Sequence, residues 1–373
     1  MRILMAGGGT AGHINPALAI ADMLRDKHPD AEILFVGVKG KMETTLVPAA
    51  GYPLKTVTVR GFQRRISLKN IARNVSAAYH VVTAGVEAAR IIKEFQPDFA
   101  IGTGGYVCGP VLRQAAKRGI PVLLHESNAL PGVTVKMLSR YAKVVMVANE
   151  AALGRLPEGT NARVTGNPLR RNFTVQDKET ARRELGLDER PMVLCFGGSL
   201  GARHLNEAVA GVLKRNTKAE QLQFIVGTGK GENAQRMQRL LEEYGVKPDG
   251  VHVQVREYID DMPRCMAAAD LVVSRCGAMT ISELPAMKKP AILVPSPYVA
   301  ENHQYYNAMA LADRGAAVCI EEKDLTDERL WDTIEKTALD AATLSRMSEA
   351  AANAAVLDAD ERIYAVICET LSL

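Results

Sequence analysis

The sequence predicts an α/β fold with two doubly wound parallel sheets, mainly because one opening pattern occurs twice. Residues 2–13 and 192–203 each contain a short apolar run, a glycine-rich turn and the start of a helical pattern. Such a turn places backbone N–H groups and a helix N-terminus at the end of a strand, where they can hold an anion. A chain of 373 residues is also too long for one ordinary core. We therefore expect two nucleotide-fold domains that face each other across a cleft.

Apolar runs alternate with helical patterns through the first half of the chain. This βαβ order is typical of a parallel sheet with both faces covered. The predicted strands are Ile3–Ala6, Ile33–Val36, Leu54–Val59, Phe99–Thr103, Val122–His125 and Val144–Ala148. The predicted helices are Pro16–Asp26, Leu68–Phe95, Pro110–Arg118 and Val133–Tyr141.

A change of character at residues 154–172, which include Gly166-Asn-Pro168, predicts the crossover between the domains. The pattern after Asp324 is helical, and the apolar spacing in Arg362–Leu371 suits a helix packed on one face. The strands predicted in the second half are Met192–Phe196, Gln223–Val226, Val251–Val255, Leu271–Ser274 and Ala291–Val294.

Composition narrows the class of protein. Hydrophobic residues make up 47% and charged residues 24%, as in soluble globular proteins, and the net charge of +4 gives no general indication of nucleic-acid binding. The six cysteines are scattered and form no C-x-x-C pair, so we expect reduced core thiols. The first apolar stretch, Ile3–Ala6, is too short for a signal peptide, and no run reaches the ~20 apolar residues of a membrane span.

The first glycine turn, Gly7–Gly12, fits the G-x-G-x-x-G pattern of dinucleotide-binding enzymes. That class also expects an acidic residue at the end of the second strand, but Ile33–Val36 continues as Gly-Val-Lys. A nicotinamide enzyme is therefore disfavoured. A plain strand-to-helix turn is the structural alternative, although three successive glycines followed by Thr-Ala-Gly-His are more than such a turn requires. His13 could exchange a proton near neutral pH, or it could cap or pack locally, as most lone histidines do.

Two further polar turns follow strands in the same half of the chain. Gly102-Thr-Gly-Gly-Tyr106 is one, and His125-Glu-Ser-Asn128 is the other. Because the carboxyl ends of parallel strands share one sheet edge, we expect all three turns to converge there.

Eight stretches occur in the order known from one protein family, across nearly the whole chain, and together they are highly specific. They are Gly7–Pro16, Gly104–Tyr106, His125–Asn128, Gly166–Arg170, Gly197–Arg203, Glu257–Asp261, Ser274–Glu283 and Asn302–Ala308. By these stretches the chain resembles the MurG family of bacterial N-acetylglucosaminyltransferases, in glycosyltransferase family 28.

The resemblance implies a GT-B fold of two Rossmann-like domains. Residues 1–165 would form an acceptor-binding, membrane-associating domain to which a C-terminal helix, 358–373, returns, and residues 166–357 would bind UDP-GlcNAc. The implied reaction transfers GlcNAc with inversion to the C4 hydroxyl of undecaprenyl-diphospho-N-acetylmuramoyl-pentapeptide (lipid I). The products would be lipid II, a peptidoglycan precursor, and UDP.

The resemblance also implies roles for individual residues, with His13 as the candidate general base. Ala278, Met279 and Thr280 would offer N–H groups to the diphosphate, Glu283 would hold the ribose, and the backbone of Ile259 would read the uracil edge. The positions implied for UDP-GlcNAc are Thr10, Ala11, Gly12, Asn128, Arg170, Ser199, Ile259, Ala278, Met279, Thr280, Glu283 and Gln304. The positions implied for the acceptor are Gly8, Gly9, Gly104, Gly105, Tyr106, His125 and Glu126.

One departure concerns the first turn, where the family usually has Thr-Gly-Gly-His and this chain has Ala11. Alanine is unfavourable there if the backbone needs a positive φ. No Asp-x-Asp metal motif lies near the proposed diphosphate site, so we expect neither an obligatory metal nor a cofactor.

A lipid-linked acceptor requires contact with a membrane, and the segment 60–73 is the candidate. Its basic residues are interleaved with apolar ones, which suits the anionic inner leaflet at the cytoplasmic face of the cell membrane. A solvated basic loop before a core helix explains the pattern equally well. The basic residues are Arg60, Arg64, Arg65, Lys69 and Arg73, and the apolar ones are Phe62, Ile66, Leu68 and Ile71.

The sequence leaves two other functions open. One is a GT-B lipid glycosyltransferase with a different UDP-sugar or with diacylglycerol as acceptor, and the other is a non-catalytic protein that binds a nucleotide sugar and regulates an enzyme. The presence of His13, Arg170 and Glu283 favours an enzyme, because a binding module needs no such set. The resemblance also implies other cell-wall synthesis and division proteins as partners.

Overall fold

The protein divides into two compact units. A computed structural model describes residues 1–59, 83–169, 176–198 and 200–372. Unit 1 comprises Met1–Leu169 and Asp358–Leu373, and unit 2 comprises Arg170–Leu357. Within the described ranges, no helix is both long and apolar enough to cross a bilayer.

Unit 1 is built on a seven-stranded sheet in the order β3-β2-β1-β4-β5-β6-β7, and all its neighbouring strands are parallel. The central strands consist almost wholly of buried residues, as expected where helices cover both faces. The strands are β1 (Arg2–Ala6), β2 (Glu32–Val38), β3 (Leu54–Val57), β4 (Phe99–Gly102), β5 (Val122–Glu126), β6 (Val144–Val147) and β7 (Ala162–Val164).

Helices on the two sides of this sheet bury separate apolar cores. They are α1 (Ala11–Lys27), α2 (Glu43–Ala49), α3 (helical over residues 83–95), α4 (Cys108–Lys117) and α5 (Val133–Leu138).

Unit 2 repeats the plan with six parallel strands in the order β10-β9-β8-β11-β12-β13. The strands are β8 (Met192–Phe196), β9 (Gln223–Gly227), β10 (Val253–Arg256), β11 (Leu271–Ser274), β12 (Ala291–Leu293) and β13 (Ala317–Cys319). The helices are α6 (Lys178–Glu184), α7 (Arg203–Ala219), α8 (Glu232–Tyr244), α9 (Met262–Ala268), α10 (Thr280–Ala286), α11 (His303–Ala312), α12 (Asp327–Ala338) and α13 (Ala341–Ala354).

The last helix, α14 (Ala359–Leu371), belongs to unit 1. Ile363 and Ile367 are wholly buried in the core on the α1 side of the first sheet. The hydroxyl of Tyr364 lies 3.0 Å from Nε2 of His28, at the end of α1. The apolar spacing in the sequence therefore marks the face by which α14 packs.

The predicted α/β class with two parallel sheets is confirmed, and the differences are local. The patterns did not predict α2, β7 or β13, which are only three to seven residues long and carry weak periodicity. Helix α1 begins at Ala11 rather than Pro16, since the extended backbone of Thr10 caps it and the proline lies in its second turn. Of the long helix predicted from Leu68, the described part, residues 83–95, is helical.

Candidate active site

Two glycine-rich loops of unit 1 pack against each other backbone to backbone. The Thr103 hydroxyl donates to the carbonyl of His13 at 2.7 Å, and the amide of Gly8 lies 3.4 Å from the carbonyl of Gly104. A Cβ atom at Gly105, where φ is +88°, would lie 2.2 Å from the carbonyl oxygen of Gly8. The loop after β1 and the loop after β4 can therefore approach this closely only with glycine at the crossing.

His13 lies at this junction, in the first turn of α1 and half-buried. Its Nδ1 atom is 3.2 Å from the carbonyl oxygen of Thr103. A carbonyl only accepts, so this bond places a proton on Nδ1 and makes Nε2 the basic nitrogen of the neutral ring. The ring also covers Gly104, where an added Cβ would lie 2.5 Å from Nδ1. The two loops thus fix both the position and the tautomer of the candidate base.

Ala11 does not strain the first loop. It is the first residue of α1 and has no positive φ, whereas the left-handed position of the loop is Gly9, with φ of +85°. A Cβ at Gly9 would meet nothing within 4 Å, so the loop is open on that side. The departure from the usual family sequence therefore falls where alanine is acceptable.

A buried carboxylate supports the same loop, and the sequence patterns did not point to it. Glu43, the first residue of α2, is fully buried, and its two oxygens accept from the amides of Gly9 at 3.0 Å and Val38 at 2.8 Å. A Cβ at Gly8 would lie 2.2 Å from Oε1 of Glu43. The carboxylate missing at the end of β2 in the sequence thus arrives from α2, but both its oxygens are bonded inside the protein.

The turn after β5 is held internally as well. His125 is wholly buried, its Nε2 lies 3.0 Å from the carbonyl oxygen of Gly166, and burial lowers its pKa to about 4. Glu126 accepts from the amide and side chain of Asn128 at 2.9 and 3.0 Å, and from the amide of Gly132 at 2.8 Å. Burial raises the pKa of Glu126. The side chains of His125 and Glu126 therefore shape this turn and its contact with the crossover segment.

The remaining positions predicted in unit 1 lie nearer the surface. Thr10 is exposed and Gly12 is half-buried at the start of α1, and Tyr106 is 58% exposed beside Gly105. The structure therefore brings Gly8 through His13 together with Gly104 through Tyr106, whereas the third predicted turn, His125–Asn128, makes side-chain contacts with Gly132 and Gly166.

Unit 2 contains a cavity of about 560 Å³ at the corresponding edge of its own sheet. Its walls come from the glycine loop after β8, the loops after β11 and β12, and residues following β13. Among the predicted donor positions, Thr280 and Gln304 line it. The walls of this cavity combine glycine-rich loops with polar side chains, as nucleotide sites at the carboxyl ends of strands do.

The loop between β11 and α10 leaves room beside its glycine. A Cβ at Gly277 would meet only the Thr280 hydroxyl, at 3.7 Å. Ala278 and Met279 are nearly buried, and the amide of Glu283 donates to the carbonyl of Met279 in the first turn of α10.

Gln304 and Ile259 are both oriented by contacts within unit 2. The Gln304 side-chain oxygen accepts from the amide of Ser296 at 2.9 Å, which fixes the direction of its amide group. The Ile259 side chain is buried, with Cδ1 3.0 Å from where a Cβ of Gly227 would lie. Its side chain therefore packs at the end of β9.

Several predicted positions lie outside the described residues. They are Arg170, Ser199 and the basic segment with Arg60, Arg64, Arg65, Lys69 and Arg73. Within the described ranges, no three histidine, cysteine or acidic side chains are grouped as a metal site would require.

Comparison with known proteins identifies the family. The glycosyltransferase family 28 N-terminal domain matches residues 3–147, and the C-terminal domain of the same family matches residues 192–363. A relative from Acetivibrio thermocellus is 42% identical over 98% of this chain and 97% of its own. The chain belongs to glycosyltransferase family 28.

The printed names of the family 28 relatives agree with one another. Those from Acetivibrio thermocellus and Clostridioides difficile are both called UDP-N-acetylglucosamine–N-acetylmuramyl-(pentapeptide) pyrophosphoryl-undecaprenol N-acetylglucosamine transferase. The second is 41% identical over 98% of this chain and 88% of its own.

Solved structures confirm the predicted GT-B class. Acinetobacter baumannii MurG is similar over 99% of both chains, with a TM-score of 0.78 and 29% identity. A UDP co-structure of S. aureus MnaA covers 100% of this chain and 98% of its own with a TM-score of 0.70, and its 14% identity shows a common fold alone.

Proposed function

We propose that this protein transfers GlcNAc with inversion from UDP-GlcNAc to the C4 hydroxyl of lipid I, which gives lipid II and UDP. The observation that carries the proposal is that relatives about 41–42% identical over nearly the whole chain bear the name of this transferase. The two loop sets, one in each unit, supply the residue types that the reaction needs.

In unit 1 we assign His13 as the base. Its Nε2 takes the proton of the C4 hydroxyl while the oxygen forms a bond to the anomeric carbon of GlcNAc. The bond from that carbon to the UDP oxygen breaks on the opposite face, so the configuration inverts and UDP carries the electron pair away. The Nδ1 contact with Thr103 keeps the ring in the tautomer that this step requires.

In unit 2 we assign the donor to the cavity after β8, β11 and β12. Thr280 and its neighbours Ala278 and Met279 would face the diphosphate, Gln304 the GlcNAc hydroxyls and Glu283 the ribose. The assignment is supported by the cavity walls, which contain Thr280 and Gln304, and by the fixed orientation of Gln304. Amide and hydroxyl groups suit sugars because they both donate and accept.

Turnover with radiolabelled UDP-GlcNAc and a lipid I analogue tests the function, with diacylglycerol as the control acceptor. Labelled disaccharide-lipid from the lipid I analogue alone is the expected result. Transfer to diacylglycerol instead would indicate a different lipid glycosyltransferase. Donor binding without transfer to either acceptor would indicate a non-catalytic protein and would contradict the role of His13 first.

The base has its own test. We expect His13→Asn to lose ~10²–10⁴-fold in kcat, the range typical of general-base help. His28→Asn is a matched control, since His28 lies at the other end of α1 beside Tyr364. A loss below about tenfold for His13→Asn would assign the base to another group.

We also propose peripheral attachment to an anionic membrane surface through the basic segment 60–73. The support is its interleaved basic and apolar sequence, which suits such a surface. Arg64, Arg65 and Lys69 changed together to Glu should release the protein from anionic vesicles. Lys214, Arg215 and Lys218, three exposed basic residues of α7, provide the control reversal, and equal loss in both variants would contradict a specific role for the segment.

A further inference from the structure

One carboxylate at the wall of the cavity in unit 2 joins several elements. Glu322, which follows β13, has a side chain only 5% exposed. One of its oxygens accepts from Nη2 of Arg275, and the other lies 3.2 Å from Nδ1 of His204. Arg275 follows β11 and His204 lies in the first turn of α7, so Glu322 connects the ends of three segments around one cavity.

The two basic partners of Glu322 are not equivalent. The guanidinium of Arg275 is 11% exposed, and its Nη1 also donates to the carbonyls of Val294 at 3.1 Å and Pro295 at 3.2 Å. Its donors are thus used in bracing the loops after β11 and β12. The side chain of His204 is 49% exposed and lines the same cavity as Thr280.

The contact with Glu322 also orients the His204 ring. With Nδ1 3.2 Å from the carboxylate oxygen, Nε2 lies on the other side of the ring. For Nε2, the described part of the chain provides no polar partner. The third basic side chain of the cavity wall, Arg203, donates to Glu207 at 2.9 Å.

We propose that His204, oriented by Glu322, binds the diphosphate of UDP-GlcNAc through Nε2–H and stabilises UDP as it leaves. The inference rests on the proposed function, because it assumes that UDP-GlcNAc occupies this cavity. An N–H of the ring that donates to a phosphate oxygen forms a charge-assisted bond, because the acceptor is ionised. The charged or titratable groups around it are Arg203, Glu207, Arg275, Tyr298 and Glu322.

Binding of UDP-GlcNAc by the full chain, measured by calorimetry, tests the proposal. His204→Gln should weaken UDP-GlcNAc binding about tenfold, because a charge-assisted hydrogen bond to the diphosphate is lost. Binding of uridine, which has no diphosphate, should stay within about twofold of wild type.

The matched control is His252→Gln. His252 is also half-exposed and bonded to carboxylates, with Nδ1 2.9 Å from Asp249 and Nε2 3.3 Å from Asp188, but it does not line the cavity. It should leave UDP-GlcNAc binding unchanged. This variant separates a specific phosphate contact from a general effect of replacing a half-exposed histidine in unit 2.

Each outcome decides a different statement. Wild-type affinity in His204→Gln would overturn the assignment of His204, as would an equal loss of UDP-GlcNAc and uridine binding, which indicates a structural effect. A wild-type protein that binds neither ligand would instead overturn the donor site itself, and His204 with it.

Discussion

Glu43→Ala tests whether the first glycine loop depends on an internal acceptor. Both carboxylate oxygens of Glu43 accept buried amides, from Gly9 and Val38, and the residue has no exposed surface. An unpaired buried donor costs about 1–3 kcal/mol, so two of them imply a loss of roughly 2–6 kcal/mol. Removing the carboxylate also removes the cost of burying its charge, which offsets part of this loss. We therefore expect unit 1 to lose about 2–4 kcal/mol of unfolding free energy.

Urea unfolding with two probes measures this effect. The chain has one tryptophan, Trp331, which lies in unit 2, whereas far-UV circular dichroism reports on both units. The circular dichroism transition should move to lower urea and the Trp331 fluorescence transition should stay, and turnover should fall because His13 shares the loop. Glu32→Ala, at an exposed carboxylate of unit 1, is the matched control. A Glu43→Ala variant within about 0.5 kcal/mol of wild type would refute the reasoning.

Three further outcomes follow from the same contacts. Gly105→Ala should abolish most turnover, since its Cβ would lie 2.2 Å from the oxygen of Gly8, whereas Gly109→Ala, with nothing within 4 Å, should keep wild-type kinetics. Burial lowers the pKa of His125 to about 4, so only the unfolded chain gains this proton between pH 6.5 and 4. The unfolding free energy of unit 1 should therefore fall by up to roughly 3 kcal/mol over that interval, and that of His125→Gln should fall less, as urea unfolding will show. Burial lowers the pKa of Lys289 to about 8, so between pH 8 and 10.5 only the unfolded chain keeps this proton. Over that interval the unfolding free energy of wild type should rise by up to roughly 3 kcal/mol relative to that of Lys289→Met, measured by Trp331 fluorescence.

The long apolar strands were predictable because a strand buried on both faces leaves an unambiguous apolar run. Met192–Phe196 and Leu271–Ser274 have the predicted bounds in the structure. Three-residue strands such as Ala162–Val164 were not predicted, because so short a run has no period and pairing with a neighbour defines it. The same reason explains α2, whose seven residues include Pro48.

The site shows the same division. Glycine turns at strand ends are local features, so the sequence alone predicts that Gly7–His13 and Gly104–Tyr106 lie at one sheet edge. The sequence could not predict that Glu43 supports the first loop, because α2 brings this residue back from a position thirty-four residues along the chain. Nor could it predict that Glu322 joins Arg275 and His204, since these side chains come from three separate segments.

The sequence by itself determined the two-sheet α/β class, the position of the glycine loops and the candidate base, because each depends on local periodicity or on motifs of a few residues. Only the tertiary structure decided how those loops are held, which carboxylates are hydrogen-bonded inside the protein and which tautomer His13 adopts. The physical reason is that burial and hydrogen bonding depend on which distant segments meet, and strand order in a parallel sheet brings together residues that the chain keeps far apart.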